Sequence, residues 1–265
     1  MYPLLYEYTI AGYHRPVAGY GLMVALGMVT GLAVALRTGH RRGLDGVHIA
    51  LVTLLAIIAG IIGCYLLFVV TILPQAWRDP TVLWQGGLVF YGGPLLAVPV
   101  AYMACRRLKL PAWQVADIAA PALAVGHGFG RMGCFLGGCC YGAKWDSPWA
   151  VVFTHQLAPA SYPPLPRHPL QLYEAAFLLV ATAVMLWWWP RLRRHGQLAL
   201  SYVVAYGLWR FVVEYWRADG VRGYLVPDLL STSQAISLVV APVALALWFH
   251  RRRRAQHAPE KLMGS

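Results

Sequence analysis

The sequence predicts an all-α polytopic membrane protein of seven transmembrane helices, and three observations carry that prediction. Of its 265 residues 59% are hydrophobic and only 12% charged, with a mean hydropathy of +0.54, well outside the balance of a soluble domain. Seven stretches approach the roughly 20 apolar residues that a helix needs to cross about 30 Å of hydrocarbon. Arginine and lysine collect after every second stretch, as they do in short cytoplasmic loops.

The first stretch is 17–36, followed by Arg37, Arg41 and Arg42. Before it the only basic residue is Arg15, so no signal-peptide n-region is evident and this span is expected to stay as an anchor. The second, 48–73, opens on HIALVTLLAIIAG and is among the clearest. The third, 88–105, precedes Arg106, Arg107 and Lys109; the fourth, 113–134, is interrupted by glycines. The fifth, 170–189, reads YEAAFLLVATAVMLWWW and precedes Arg191, Arg193 and Arg194. The sixth is 197–216, and the seventh, 232–249, ends at Arg251 to Arg254. With seven alternating spans all four basic clusters fall on one side, which places the N-terminus outside and the C-terminus in the cytoplasm. Loops 74–87, 135–169 and 217–231 then face the outer compartment, with Trp77, Trp84, Trp145 and Trp149 as an outer belt and Trp187 to Trp189 as an inner one. Residues 1–250 read as one transmembrane domain, and 251–265 as a basic, disordered tail. The net charge of +12 resides in these short clusters. No basic face interleaved with stacking aromatics is present, which argues against a nucleic-acid partner.

Ionisable residues inside apolar stretches mark function, because an arginine at mid-bilayer costs about 2.5–3.5 kcal/mol on insertion scales. Asp117, Arg131, Glu174 and the set Arg210, Glu214, Arg217 qualify. Spacings of i, i+4 and i+7 place the last three on one helical face, with Tyr206 one turn earlier. Two readings stand: a structural ion pair, or one arginine paired and the other left for an anion. Arg131 is surrounded by Gly126, Gly128, Gly130, Gly133, Gly137 and Gly138, and glycine lets backbone approach a ligand. Guanidinium forks suit phosphate oxygens, so Arg131 and Arg210 converging would bind a phospholipid headgroup.

The stretch GRMGCFLGGCCYG, 130–142, then HPLQLYEA, 168–175, and YGLWRFVVEYWRAD, 206–219, resemble the signature segments of the phosphatidylglycerol:prolipoprotein diacylglyceryl transferase family of bacterial inner membranes. YGLM at 20–23, GGLVFYGG at 86–93, DIAAPALAVGHGFGR at 117–131 and LLSTSQAISL at 229–238 are similar to further segments, in the same order. The resemblance implies a multi-pass transferase of the plasma membrane. It would move the diacylglyceryl group of phosphatidylglycerol to the thiol of a prolipoprotein lipobox peptide, with glycerol phosphate leaving and no cofactor. By the same resemblance Arg131 and Arg210 would hold the headgroup and its developing charge. Glu214 and Arg217 would orient Arg210, and Tyr20 and Tyr206 would line the cavity. Gly130, Gly133 and Gly142 would admit the ligand, while Gln171, Tyr173 and Glu174 would brace the loop, with His168 structural or chemical.

The chain departs from the family pattern in two spans and in the signature loop: Tyr91 stands where the family has a histidine, Tyr65 where it has an arginine, and Cys134, Gly137 and Cys139 replace two asparagines and a glutamate, with Cys140 added. Tyr91 and His127, four residues before Arg131, are the candidates for the thiol proton; for His127 a packing role is the alternative. The cysteines have three readings: small residues in a tight loop, a disulfide in an oxidising compartment, or a metal site of unrecognised spacing. Two other functions stand beside the transferase: a transport-type or non-catalytic protein binding an anionic headgroup, and a thiol or metal protein built on the cysteines.

Overall fold

The structure is a computed structural model that describes residues 4–10, 13–85, 87–155, 158, 160, 163–192, 194–218, 224–226 and 230–254, of which 4–18, 84–85, 224–226 and 254 are described by backbone only. Among the described residues are seven α-helices: α1 (Gly19–His40), α2 (Gly46–Ala76), α3 (Gly92–Arg107), α4 (Ala112–Gly137), α5 (Leu170–Trp188), α6 (Gln197–Val213) and α7 (Thr232–Arg254). A hairpin of β1 (Leu4–Ile10) and β2 (Tyr13–Ala18) precedes them, and β3 (Tyr224–Val226) pairs with β4 (Leu230–Ser231). The hairpin was not expected from the sequence; its signal is a Tyr-, Thr- and Ile-rich run on either side of Ala11-Gly12. Four helices are long and apolar enough to cross a membrane: α1, α2, α5 with the turn that continues it to Arg191, and α7. The chain is a predominantly helical membrane protein.

The chain divides into two compact units, one of residues 31–122 and the other of 1–30 with 123–265. In the 31–122 unit α2 and α3 touch backbone to backbone. A Cβ on Gly92 would stand 2.0 Å from the Gly63 carbonyl oxygen, and one on Gly63 2.2 Å from that of Gly92. Small residues permit that approach where lipid supplies no hydrophobic drive between helices. Only 11% of the most apolar window of α2 is buried, so Leu54, Ile58, Ile62 and Leu66 are left for acyl chains. Asp45 caps α2 by accepting from Val47 N at 2.9 Å. Tyr91 immediately precedes α3 and is half-buried, Tyr65 is exposed with its hydroxyl 3.5 Å from the Leu83 carbonyl, and Asp117 is buried on α4.

In the other unit α6 packs on α7, where a Cβ on Gly207 would meet Ala241 Cβ at 3.0 Å. Phe177 of α5 stacks on Trp209 of α6, centroids 4.7 Å apart. Loop 138–169 has its own core of Phe153, Ala158 and Ala160 against Phe135, Tyr141 and Val151. Three expectations need correction. The sixth helix stops at Val213 rather than running to 216: Glu214–Trp216 is a 3-10 turn and Arg217 is extended. The reason is a tertiary partner, since the Trp216 carbonyl accepts from Ala143 N at 2.8 Å and Arg217 bridges Gly142. Trp189 does not serve as a belt residue, for it is buried; Trp145 stacks on His168 at 4.2 Å. Finally, α7 continues through Arg254, so the first four tail residues are helical; residues 255–265 lie outside the described residues, as does the side chain of Trp84.

Candidate active site

All the ends that matter lie in the unit of residues 1–30 and 123–265: the C-termini of α4 and α6, the N-termini of α5 and α7, and the first turns of α1. How α4 ends decides the site. Gly138 adopts φ +67°, its N–H donates to Phe135 O at 3.2 Å and that of Cys139 to Cys134 O at 3.1 Å. This is a Schellman turn, with glycine in the left-handed position it favours. The turn folds the loop back over the last helical turn. Gln171 Nε2, on the first turn of α5, donates to Cys139 O at 2.6 Å. Ser231 and Gln234 cap α7 reciprocally, Ser231 N donating to Gln234 Oε1 at 3.1 Å and Gln234 N to Ser231 Oγ at 3.2 Å. That cap places Ser233 one turn into reach of α6.

The charges form two buried pairs. Arg131 Nη2 meets Glu174 Oε1 at 2.7 Å, and Arg210 Nη2 meets Glu214 Oε2 at 2.5 Å. Arg217 Nε stands 3.8 Å from the same Glu214 oxygen, so Glu214 lies between Arg210 and Arg217. Glu174, expected as a loop brace, takes Arg131 and also accepts from the Tyr206 hydroxyl at 3.1 Å. Arg210 further donates to Ser233 Oγ at 3.0 Å. The pairs are one cluster, because Tyr206, which donates to Glu174, stands one turn before Arg210 on α6. Three guanidinium groups meet two carboxylates, which leaves an excess positive charge where the effective dielectric is low and attraction for an anion is strong.

Arg131 Nε donates to His127 Nε2 at 3.3 Å, so that lone pair is already engaged by the arginine. His127 also meets the Tyr206 ring edge-on at 5.4 Å. Tyr20 is exposed on the first turn of α1. Gly133 lets α4 approach α1, since a Cβ there would be 3.1 Å from both Met23 Cβ and Tyr20 Cδ2. A Cβ on Gly130 would meet nothing within 4 Å, and one on Gly142 would stand 2.5 Å from His168 Cβ. Burial holds the His168 ring below its ordinary value and so neutral at pH 7, with Nδ1 3.5 Å from the Tyr173 hydroxyl. An open pocket of about 370 Å³, almost wholly apolar, is lined by Trp145, His168, Tyr173, Trp209, Val212, Val213 and Trp216.

The structure thus gathers Arg131, Glu174, Tyr206, Arg210, Glu214 and Arg217, with Tyr20, His127 and the loop around them. Tyr91 belongs to the other compact unit. The sequence reading passed over two residues. Ser233 had a signal in the SxxQ cap of LLSTSQ, and Arg167, buried with its guanidinium 4.5 Å over the Tyr141 ring, stood directly before the HPLQLYEA segment.

A family model described as prolipoprotein diacylglyceryl transferase matches residues 9–250. A protein of Clostridium tetani named phosphatidylglycerol–prolipoprotein diacylglyceryl transferase is 32% identical over 259 residues, covering 97% of this chain and 100% of that protein. One of Clostridium perfringens, of the same name with the number 2, is 32% identical over 228 residues, 84% of this chain and 87% of its own. One of Pseudomonas aeruginosa with that name is 37% identical over 185 residues, 67% of each chain.

Proposed function

The chain belongs to the prolipoprotein diacylglyceryl transferase family, and on that premise we propose that the cluster around Glu174 is where it transfers the diacylglyceryl group of phosphatidylglycerol to the cysteine thiol of a prolipoprotein. The observation that carries the assignment is the excess guanidinium charge shared by Arg131, Arg210 and Arg217 in a buried site. The acceptor sulfur attacks the glyceryl carbon, the carbon–oxygen bond to the phosphate breaks, a thioether forms, and glycerol phosphate departs with the electron pair. The thiol proton ends on the phosphate or in solvent. Charge develops on the phosphate oxygens during that step, and donors fixed in advance lower its barrier. Arg131 and Arg210 supply them. Glu174, Tyr206 and His127 hold Arg131, while Glu214 and Ser233 hold Arg210, so neither has to reorganise as the charge appears. The aromatic pocket beside His168 takes apolar substrate surface.

The site lies at the outer face of a bacterial plasma membrane, with seven helices crossing, the N-terminus outside and the C-terminus cytoplasmic. Arg194 donates to Arg252 O and Arg251 to His195 O, which supports this by bringing the basic clusters after α5 and α7 to one end. Residues 1–250 act as one transferase domain, with a basic tail to 265. The test incubates purified protein with phosphatidylglycerol vesicles and a lipobox peptide. The expected result is a mass gain of one diacylglyceryl unit on the peptide cysteine, abolished in Arg131→Gln. Headgroup binding without any mass gain overturns the enzymatic reading in favour of a lipid-binding protein.

A further inference from the structure

The proposed reaction leaves one feature of the loop unused. The Sγ atoms of Cys134, Cys139 and Cys140 all lie within 4.8 Å of one another, and no disulfide joins any of the five cysteines. The cluster is built by the backbone. The Schellman turn at Gly138 returns Cys139 to Cys134, whose carbonyl oxygen lies 3.7 Å from Cys139 Sγ. Cys140 is held at φ +60°, the left-handed region that a side chain rarely occupies. Two tertiary contacts fix that conformation: Gln171 holds the Cys139 carbonyl, and Ala160 N donates to Gly138 O at 3.2 Å. Strain kept in place by surrounding structure is typical of ligand clamps.

We propose that Cys134, Cys139 and Cys140 form a three-thiolate site for a soft d10 cation of the zinc class, with the fourth coordination position left to water or an incoming thiol. Zinc–sulfur bonds of about 2.3 Å put tetrahedral ligands about 3.8 Å apart, so rotations moving each sulfur by an ångström or less close the site. Thiolate donors select zinc, cadmium and copper(I) over magnesium or calcium. The single open position has the form of a catalytic rather than a structural zinc site.

The experiment titrates the purified, reduced full-length chain with Cd²⁺ alone, following the near-ultraviolet sulfur-to-metal charge-transfer band. One equivalent per chain is expected to saturate the band. Affinity should fall at least tenfold in Cys134→Ser, in Cys139→Ser and in Cys140→Ser, each checked for folding by gel filtration and thermal unfolding. The Cys64→Ser/Cys105→Ser double variant should titrate as the parent does. The proposal is overturned by three results: no band, a band unchanged in those single variants when folded, or a thiol count of three in protein isolated without reductant, which would mean a disulfide instead. The titration contains neither lipid nor peptide, so its outcome is separate from that of the transfer assay.

Discussion

Replacing Glu174 by glutamine isolates what the buried ion pair does. The substitution keeps the volume and an amide oxygen that can still accept from the Tyr206 hydroxyl, now 3.1 Å from Glu174 Oε1. What disappears is the negative charge 2.7 Å from Arg131, in a pair whose side chains are 8% and 1% exposed. A guanidinium left in such a place without its counter-charge costs about 3–5 kcal/mol, which is on the order of 10²- to 10⁴-fold in the folded to unfolded ratio and on the order of 10 °C in Tm. The assay is thermal unfolding of Glu174→Gln, Arg131→Gln and the double variant in detergent without phosphatidylglycerol, read as monodisperse protein surviving each temperature. With both charges removed nothing is stranded, so the double variant should melt above Glu174→Gln alone even though it carries one more substitution. A Glu174→Gln protein that melts within a degree of the parent, or a double variant that melts below the single one, refutes the reasoning.

Arg210→Lys keeps the charge but loses the planar guanidinium whose Nη2 reaches both Glu214 and Ser233; turnover in the peptide-lipidation assay should fall on the order of 10²-fold, with Tm changing little. His127→Gln retains an acceptor for Arg131 Nε and should keep most activity, whereas His127→Leu should lose it; loss of turnover in the glutamine variant at unchanged Tm would assign His127 to the thiol proton. Gly92→Ala forces a Cβ onto the Gly63 carbonyl and should cost about 1–3 kcal/mol, while Gly46→Ala, which meets nothing within 4 Å, should be neutral in the same melt. Because burial lowers the His168 value, its contribution to stability is complete above the unfolded value of about 6.5 and declines as pH falls through the lower folded one. His168→Phe should therefore flatten the melting profile between neutral and mildly acid pH.

Helices and charges were legible in the sequence for a simple reason: a span must be apolar over its length, so every exception within it shows. Arg131, Glu174, Arg210 and Glu214 could be picked out before any partner was known. What the sequence alone could not supply was pairing. The spacing of Arg210, Glu214 and Arg217 implied one helical face, but Ala143 takes the Trp216 carbonyl and ends the helix at Val213. Spacing did not show that Glu174 faces Arg131, nor that the turn at Gly138 brings three sulfurs together. Hydropathy is a local property that each residue carries with it. The partner of a buried charge, the end of a helix met by another strand of chain, and the meeting of sulfurs from both sides of a turn are set by contacts between distant segments, and those exist only once the chain has folded.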